Sequence, residues 1–332
     1  MKQSFSSYDE PLGPHAIRYF GDGYKNVGRD FTELSLSRSS SIGAQHTGRA
    51  ILSYPAGWST KKNSELVPHV SSVDTIMLAV ALCDAAVART RELSPAESGR
   101  SWVRHATVRA GAKPHEDLAN VPVTATVIGT SDTADTCEAE IETSFKFQVG
   151  PLNGTLAIVH PPGCGLRSEP GIERFGSIAE IFGPAPHYYL NGLVDHTLTA
   201  TELTVDESGG RITGQHRITP GTVGGYSGAE SAYSDSSSPI DSVVGAAQSS
   251  QILLYHLDSL DRTNSNTLWM RKLEFVTAGP HRPIDDSFEG ILELRRASII
   301  DRGGSRWRSA DIQIKAFNGV TGSCLLAHQL PE

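Results

Sequence analysis

Between Thr75 and Ala88 the chain reads TIMLAVALCDAAVA, and only Thr75 and Asp84 interrupt the apolar run. Val73, Ile76, Met77, Val80 and Ala81 recur at helical spacing, but Leu78, Ala79, Leu82, Ala85 and Ala86 fill the other side too. A helix that is apolar nearly all round is buried. At about 1.5 Å per residue this one is too short to span a bilayer. The pattern predicts a central helix over Ser71–Thr90, wrapped by something else. Ser71 and Asp74 supply an S-x-x-D cap at its start. A second stretch, SPIDSVVGAAQSSQILLYHL from Ser238, predicts a partner helix over Pro239–Ser259, with proline at its favoured first position.

Around each helix the pattern changes to period two. Phe31–Ser37 and Arg49–Tyr54 read as strands before the first helix; Trp102–Ala110, Val121–Thr130, Cys137–Val149 and Thr155–His160 read as strands after it. In the third of these, Ala139, Ile141, Phe145 and Phe147 share one face and Glu138, Glu140, Glu142, Lys146 and Gln148 the other. That is a half-buried strand with one wet face. Pro-Leu-Asn-Gly at 151–154 predicts a tight turn, because Asn-Gly is the strongest hairpin signal. Val194–Asp206, Arg211–Thr219, Leu268–Val276, Phe288–Ile300, Ser309–Phe317 and Val320–His328 repeat the order around the second helix.

The repetition reaches individual residues. Ser71-x-x-Asp74 meets Ser238-x-x-Asp241 at an offset of 167, and Trp102-Val103-Arg104 meets Trp269-Met270-Arg271 at the same offset. Thr32-Glu33-Leu34 meets Thr201-Glu202-Leu203 at 169, and Asn153-Gly154 meets Asn318-Gly319 at 165. The period is far too long for a solenoid. One domain has been duplicated and fused. The expected class is α+β: a tandem, or double, hot-dog with two long buried helices, each wrapped by an antiparallel sheet. The expected organisation is an irregular N-terminal arm (1–30), a first unit (31–160), a Pro/Gly-rich linker (161–187) with at most one short helix around Ile172–Ile181, and a second unit (188–332).

A chain of 332 residues accommodates two such cores. Its formal charge of −8, with charges mixed rather than in blocks, argues against nucleic acid as the main partner. The N-terminus MKQSFSSYDEP has no apolar h-region, and no apolar run reaches membrane-spanning length. Cys83, Cys137, Cys164 and Cys324 are widely spaced and form no C-x-x-C, so reduced thiols in a cytoplasmic protein are expected, without a metal.

The order of FGDGYKN, SSVD, SWVRHATVRAG, SNTLWMRK and FNGVTG resembles the avirulence D (AvrD) family of plant-associated bacteria and actinomycetes. The resemblance runs along nearly the whole chain. A more distant likeness is to the A-factor-type butenolide synthases, also paired hot-dogs, which join a β-ketoacyl chain to a small hydroxy-ketone. The avirulence D family is associated with syringolides, acyl glycosides of a β-ketoacyl chain and a pentulose. The resemblance therefore implies an enzyme that condenses a 3-oxoacyl thioester, carried on acyl carrier protein or coenzyme A, with a ketose such as xylulose, and no bound cofactor. The bare fold equally permits a thioesterase or dehydratase. A non-catalytic binder of acyl chains or small signals is the third reading.

No H-E-x-x-H, G-x-S-x-G or P-loop is present, so candidate residues come from placement. A helix N-terminus offers free N–H groups and partial positive charge that polarise a thioester carbonyl. His69, two residues before the Ser71 cap, is placed to take a proton from a sugar hydroxyl or from the acidic carbon of a 3-oxoacyl group. Its bland role is a loop histidine bonded to backbone. Asp74 and Asp241 are candidate bases, with helix capping the competing role. Gln248 and Gln251, with Ser249 and Ser250 between them, interrupt the second helix and either meet the seam between helices or line the substrate cavity. Trp102 and Trp269 open matched strands and serve either as core or as substrate wall. Arg104 and Arg271 share their faces and are expected to be at least half-buried, paired with Asp74, Asp241 or a ligand phosphate.

Overall fold

The computed structural model describes residues 2–61, 64–133, 139–164, 170–206, 210–219, 221, 224–282, 284 and 286–331. Cys137 lies outside the described residues. The arm carries β1 (Lys2–Phe5) and α1 (Asp9–Leu12). The first half follows with β2 (Gly28–Ser37), β3 (Gln45–Ser53), the ribbon of β4 (Thr60–Lys61) and β5 (Ser64–Glu65), α2 (Ser72–Arg91), α3 (Pro95–Gly99), β6 (Trp102–Arg109), β7 (Val121–Thr133), β8 (Glu140–Val149) and β9 (Leu152–His160). Next come β10 (Ile172–Phe175), α4 (Ala179–Phe182) and α5 (Tyr188–Asn191). The second half is β11 (Thr197–Asp206), β12 (Arg211–Thr219), α6 (Pro239–Leu257), β13 (Leu268–Thr277), β14 (Phe288–Arg302), β15 (Ser305–Phe317) and β16 (Val320–Gln329).

Fourteen strands form one sheet in the order β1-β11-β12-β14-β15-β16-β13-β6-β9-β8-β7-β3-β2-β10. Read outward from the β13–β6 seam, the two halves have the same strand order. The seam is antiparallel, from Lys272 opposite Arg109 to Val276 opposite His105. Every residue of α2 from Val73 to Ala88 is buried, as all-round apolarity requires. Fifteen of the α6 residues are buried against the other half of the sheet, including Gln248, Ser249 and Ser250.

The arm and the linker are more ordered than their composition suggests. β1 extends the second half by pairing with β11, and β10 extends the first by pairing with β2. The linker thus holds a strand as well as a helical turn where at most a short helix was expected. The arm also supplies the partners for the polar interruption of α6. Arg18 Nη1 donates to Gln248 Oε1 at 2.5 Å, and Tyr8 Oη lies 2.9 Å from Ser249 Oγ. Tyr8 Oη also lies 2.8 Å from His216 Nε2. Burying these groups without the arm would strand several hydrogen-bonding atoms. Gln251 is only half-buried.

Asn153-Gly154 is not the expected turn. The β8–β9 turn is Gly150-Pro151, and Asn153 and Gly154 lie inside β9, paired with Gln148 and Phe147. A Cβ at position 154 would stand 1.8 Å from the Thr107 carbonyl oxygen, so this glycine permits close strand approach rather than a turn. In the second half Asn318-Gly319 does form the turn, with φ of 44° and 75°. The match at offset 165 therefore joins unlike positions; the structural counterpart of Asn318-Gly319 is Gly150-Pro151. The β14–β15 hairpin also departs from expectation. The sequence pattern ends one strand at Ile300 and starts the next at Ser309, whereas the strands run on to a two-residue Gly303-Gly304 turn.

Candidate active site

The N-terminus of α2 is built around Asp74, which is fully buried. Its Oδ2 accepts the Ser71 N–H at 3.1 Å, while Ser71 Oγ accepts the Asp74 N–H at 3.0 Å, completing a capping box. Arg29 closes on Oδ1 through Nε at 2.8 Å and Nη2 at 2.7 Å. The hydroxyls of Tyr19, at 3.3 Å, and Tyr54 also point to Oδ2. Burial and the Asp74 charge push both phenols far above their ordinary range, so they remain protonated donors. Asp74 is thus engaged on both oxygens, as a capping carboxylate in a buried ion pair.

Asp241 repeats the capping role at α6. Its Oδ2 accepts the Ser238 N–H at 2.8 Å and lies 2.8 Å from His196 Nδ1. Burial acts to lower the His196 pKa, but the charge and hydrogen bond of Asp241 outweigh it and raise the value. Asp241 Oδ1 and Tyr188 Oη are both buried without a partner among the described residues.

The two helix starts differ in what they leave free. At α6, position 239 is proline and has no N–H, the Ile240 N–H goes to Ser238 Oγ at 3.1 Å, and the Asp241 N–H reaches the Ser238 carbonyl at 3.1 Å. At α2 the Ser72 and Val73 N–H groups donate to nothing among the described residues. Only α2 retains free donors on its first turn.

Ser72 borders a small, largely apolar cleft. Val243, Ala246 and Ala247 of α6 form one wall, Leu268 and Met270 of β13 and Leu326 of β16 another, and Phe20 of the arm closes over it. The cleft joins the halves: its walls come from the second, and its one polar margin is the α2 start of the first.

His69 is half-buried in the segment leading to this margin. Its Nδ1 lies 3.0 Å from the Val67 carbonyl oxygen. A carbonyl only accepts, so Nδ1 carries the proton and neutral His69 keeps its lone pair on Nε2. The ring stacks on Trp269, with centroids 5.7 Å apart and planes 30° apart. Trp269 lies between the cleft-lining Leu268 and Met270 on β13 and faces the other side of the strand, and His69 is not among the residues lining the cleft.

The remaining candidates fall elsewhere. Trp102 is buried, whereas Trp269 is half-buried beneath His69. Arg104 is half-buried, lies over the Trp102 ring and pairs with Glu142 at 3.1 Å. Arg271 is exposed and donates to the Gly111 carbonyl at 3.2 Å, contrary to the expected burial and pairing. Neither arginine meets a capping aspartate, because Arg29 and His196 already occupy those positions. The buried pair of His187 Nε2 and Asp84 Oδ2, 3.0 Å apart, is a further cluster that sequence reading passed over. Asp84 Oδ2 also accepts the Ala229 N–H at 2.7 Å, tying the loop before α6 to the middle of α2. Arg29 and His196 had a sequence signal: both precede their aspartates by the same interval.

The family described as Pseudomonas avirulence D protein (AvrD) matches residues 2–331, and the chain belongs to that family. No curated protein matches it. Among solved structures, the chain is similar to a conserved hypothetical protein of Mycobacterium tuberculosis described as having a double hotdog fold, at 12% identity over 80% of this chain and 83% of that one, with a TM-score of 0.42. It is similar to the tesB protein of Mycobacterium avium subspecies paratuberculosis at 10% identity, covering 86% of this chain and 93% of that one, with a TM-score of 0.37. A third is the dehydratase domain of the polyketide protein PpsC from Mycobacterium tuberculosis, at 9% identity over 89% and 97% of the two chains and a TM-score of 0.34.

Proposed function

We propose that this protein is a tandem hot-dog enzyme that condenses a 3-oxoacyl thioester with a ketose such as xylulose, giving a syringolide-like acyl glycoside. The carrying observation is the apolar cleft bordered by Ser72, the first residue of α2, whose N–H donates to nothing among the described residues. The acyl chain occupies the cleft and removes its apolar surface from water. The thioester carbonyl lies at Ser72 and Val73, where the helix N-terminus holds the oxyanion that forms. His69 Nε2 takes the proton of a sugar hydroxyl as its oxygen attacks the carbonyl carbon. The new C–O bond forms, the C–S bond breaks, and the proton passes to the departing thiolate. Asp74 and Asp241 hold the helix starts in register rather than carrying protons.

The test is incubation of the purified protein with a 3-oxoacyl thioester and a pentulose, read by mass spectrometry. An adduct with the mass of acyl group plus sugar supports the reading. Release of free 3-oxo acid without adduct replaces it with a thioesterase, water having taken the sugar's place. Unchanged thioester that nevertheless stays bound makes the protein a binder.

A further inference from the structure

The polar face of α6 gathers cations that the proposed chemistry does not use. Gln248, Gln251 and Tyr255 follow one another at helical steps of three and four residues, so they share one face of the helix. Arg18 Nη1 donates to Gln248 Oε1 at 2.5 Å. Lys61 Nζ donates to Tyr255 Oη at 3.4 Å and to the Asn266 carbonyl at 2.6 Å. Arg262 joins the other two: its Nη2 donates to the Thr60 carbonyl, beside Lys61, at 2.6 Å and to the Ile17 carbonyl, beside Arg18, at 3.4 Å. Three cations therefore converge on one face of α6, within a protein of net charge −8.

Carboxylates do not balance this cluster. Asp9 answers Arg18 at 2.6 Å. Arg262 is half-buried and makes no ion pair among the described residues, and its Nε and Nη1 donate to nothing there. Its neighbour Asp261 turns instead to Thr263 Oγ1 at 2.5 Å and the Asn264 N–H at 2.8 Å. Burial and the Arg18 charge outweigh the nearby Tyr255 and pull the Arg262 pKa below its ordinary value. A partly desolvated guanidinium beside a second cation is costly, and a phosphate, whose oxygens match the guanidinium fork, relieves both costs.

The same helix leads from the cations to the cleft. Ala247, a cleft wall, lies one turn before Gln251 and about two turns before Tyr255, about 12 Å away at 1.5 Å per residue. On the opposite wall Leu268 follows Asn266, the acceptor of Lys61, by two residues, at most about 7 Å along the chain. An acyl donor with its chain in the cleft thus has a cationic centre a short way beyond its thioester. That separation is within the reach of an extended pantetheine arm, and half-buried Gln251 on the path offers a partner to the arm's amides.

We infer that Arg262 and Lys61, backed by Arg18, bind the phosphate at the head of the donor's pantetheine arm, a group common to coenzyme A and to a loaded acyl carrier protein. This deepens the reading above and rests on it, naming what holds the far end of the thioester at the same site.

The test separates the phosphate from the rest of the donor. Binding of phosphopantetheine and of pantetheine is measured by calorimetry, and KM is measured for their 3-oxoacyl thioesters. Wild type should prefer the phosphorylated ligand about tenfold or more, and less as salt rises. In Arg262→Gln the two ligands should bind alike, and Arg262→Lys should recover part of the preference. Lys61→Gln should narrow it independently, and decides the matter if Arg262→Gln does not fold. Of the two natural donors, coenzyme A thioester and carrier-bound thioester, the one whose KM rises in the variants identifies the source of the phosphate. The inference is overturned if wild type does not distinguish the two ligands, if the variants keep the preference, if they weaken both ligands equally, or if neither natural donor's KM rises. Adduct formation without any preference for the phosphorylated thioester sinks this inference alone; a phosphate preference in binding without adduct from any donor sinks the condensation reading alone.

Discussion

Arg29 and His196 are counterparts: each reaches, from 45 residues upstream, the aspartate that caps the buried helix of its own half. The duplication preserved a cation–carboxylate pair at each helix start but changed the cation. A guanidinium stays charged at every accessible pH, whereas an imidazolium does not.

Arg29→Ala should therefore destabilise the fold by about 3–5 kcal/mol, because Asp74 would remain buried and charged without its partner. Arg104→Ala should cost no more than about 1 kcal/mol, since its pair with Glu142 is partly solvated. Chemical denaturation of the two variants decides this; equal losses would show that Arg29 is not the specific answer to Asp74.

At α6 the same position should respond to pH. The folded pKa of His196 is raised, so the pair contributes its stability below the unfolded histidine value of about 6.5 and loses it as pH rises through the folded value. Hydrogen exchange followed from pH 6 to 9, corrected for intrinsic rates, should show opening at the start of α6 but not of α2. Parallel behaviour of both helix starts would refute the assignment.

Three other histidines act in the opposite direction. Burial lowers His46, His160 and His216 to about 4. The unfolded chain takes up protons below about pH 6.5 while the folded chain does not, so stability falls as pH drops toward 4. His46 offers the clean test, because neither ring nitrogen has a partner among the described residues. His46→Leu should be near neutral at pH 7.5 and, at pH 5, stabilising by up to about 2 kcal/mol. The measurement is Tm at the two pH values, and an unchanged acid limb would count against it.

What the sequence made legible was local. The all-round apolar run predicted α2, the capping pair Ser71 and Asp74 marked its start, and alternation marked β8. Asn153-Gly154 misled because the same dipeptide serves a turn or a close strand crossing, and only the neighbour across the sheet decides which. Arg104 looked like the partner of a capping carboxylate because strand periodicity put it beside Trp102. The real partners, Arg29 in β2 and His196 just before β11, lie 45 residues upstream of their aspartates, a separation that strand or helix periodicity does not register. The extended β14–β15 tip carries no strand signal in the sequence because its arginines mask the alternation. The cleft combines α6, β13, β15 and β16 with Ser72 and Phe20, a tertiary juxtaposition that no local pattern encodes.

His69→Ala should leave folding intact, since the half-buried ring contributes only its contacts with Trp269 and Trp58 and one hydrogen bond to the Val67 carbonyl. Adduct formation should fall by on the order of 10²–10⁴, the usual worth of a positioned base. Retention of full activity, with loss in an Asp241→Ala variant that still folds, would move the reaction centre to α6.

The sharpest test uses the second half as a template for the first. Ser72 and Pro239 are equivalent, each the first residue of its helix after the capping serine. Ser71 has φ −86° and ψ 169°, close to the −77° and 152° of Ser238, which already tolerates a following proline. Ser72→Pro should thus fit without strain and hold or improve stability, because proline is favoured at the first helical position. It removes one N–H at the margin of the cleft. If that group stabilises the oxyanion, kcat should drop by about 10²–10³ with Tm unchanged or raised. The hydroxyl is lost in the same change, so Ser72→Ala is the control: it keeps the N–H and should keep most of the activity. Equal losses in both variants would assign the effect to the side chain, and unaffected turnover in Ser72→Pro would remove the α2 N-terminus from the reaction.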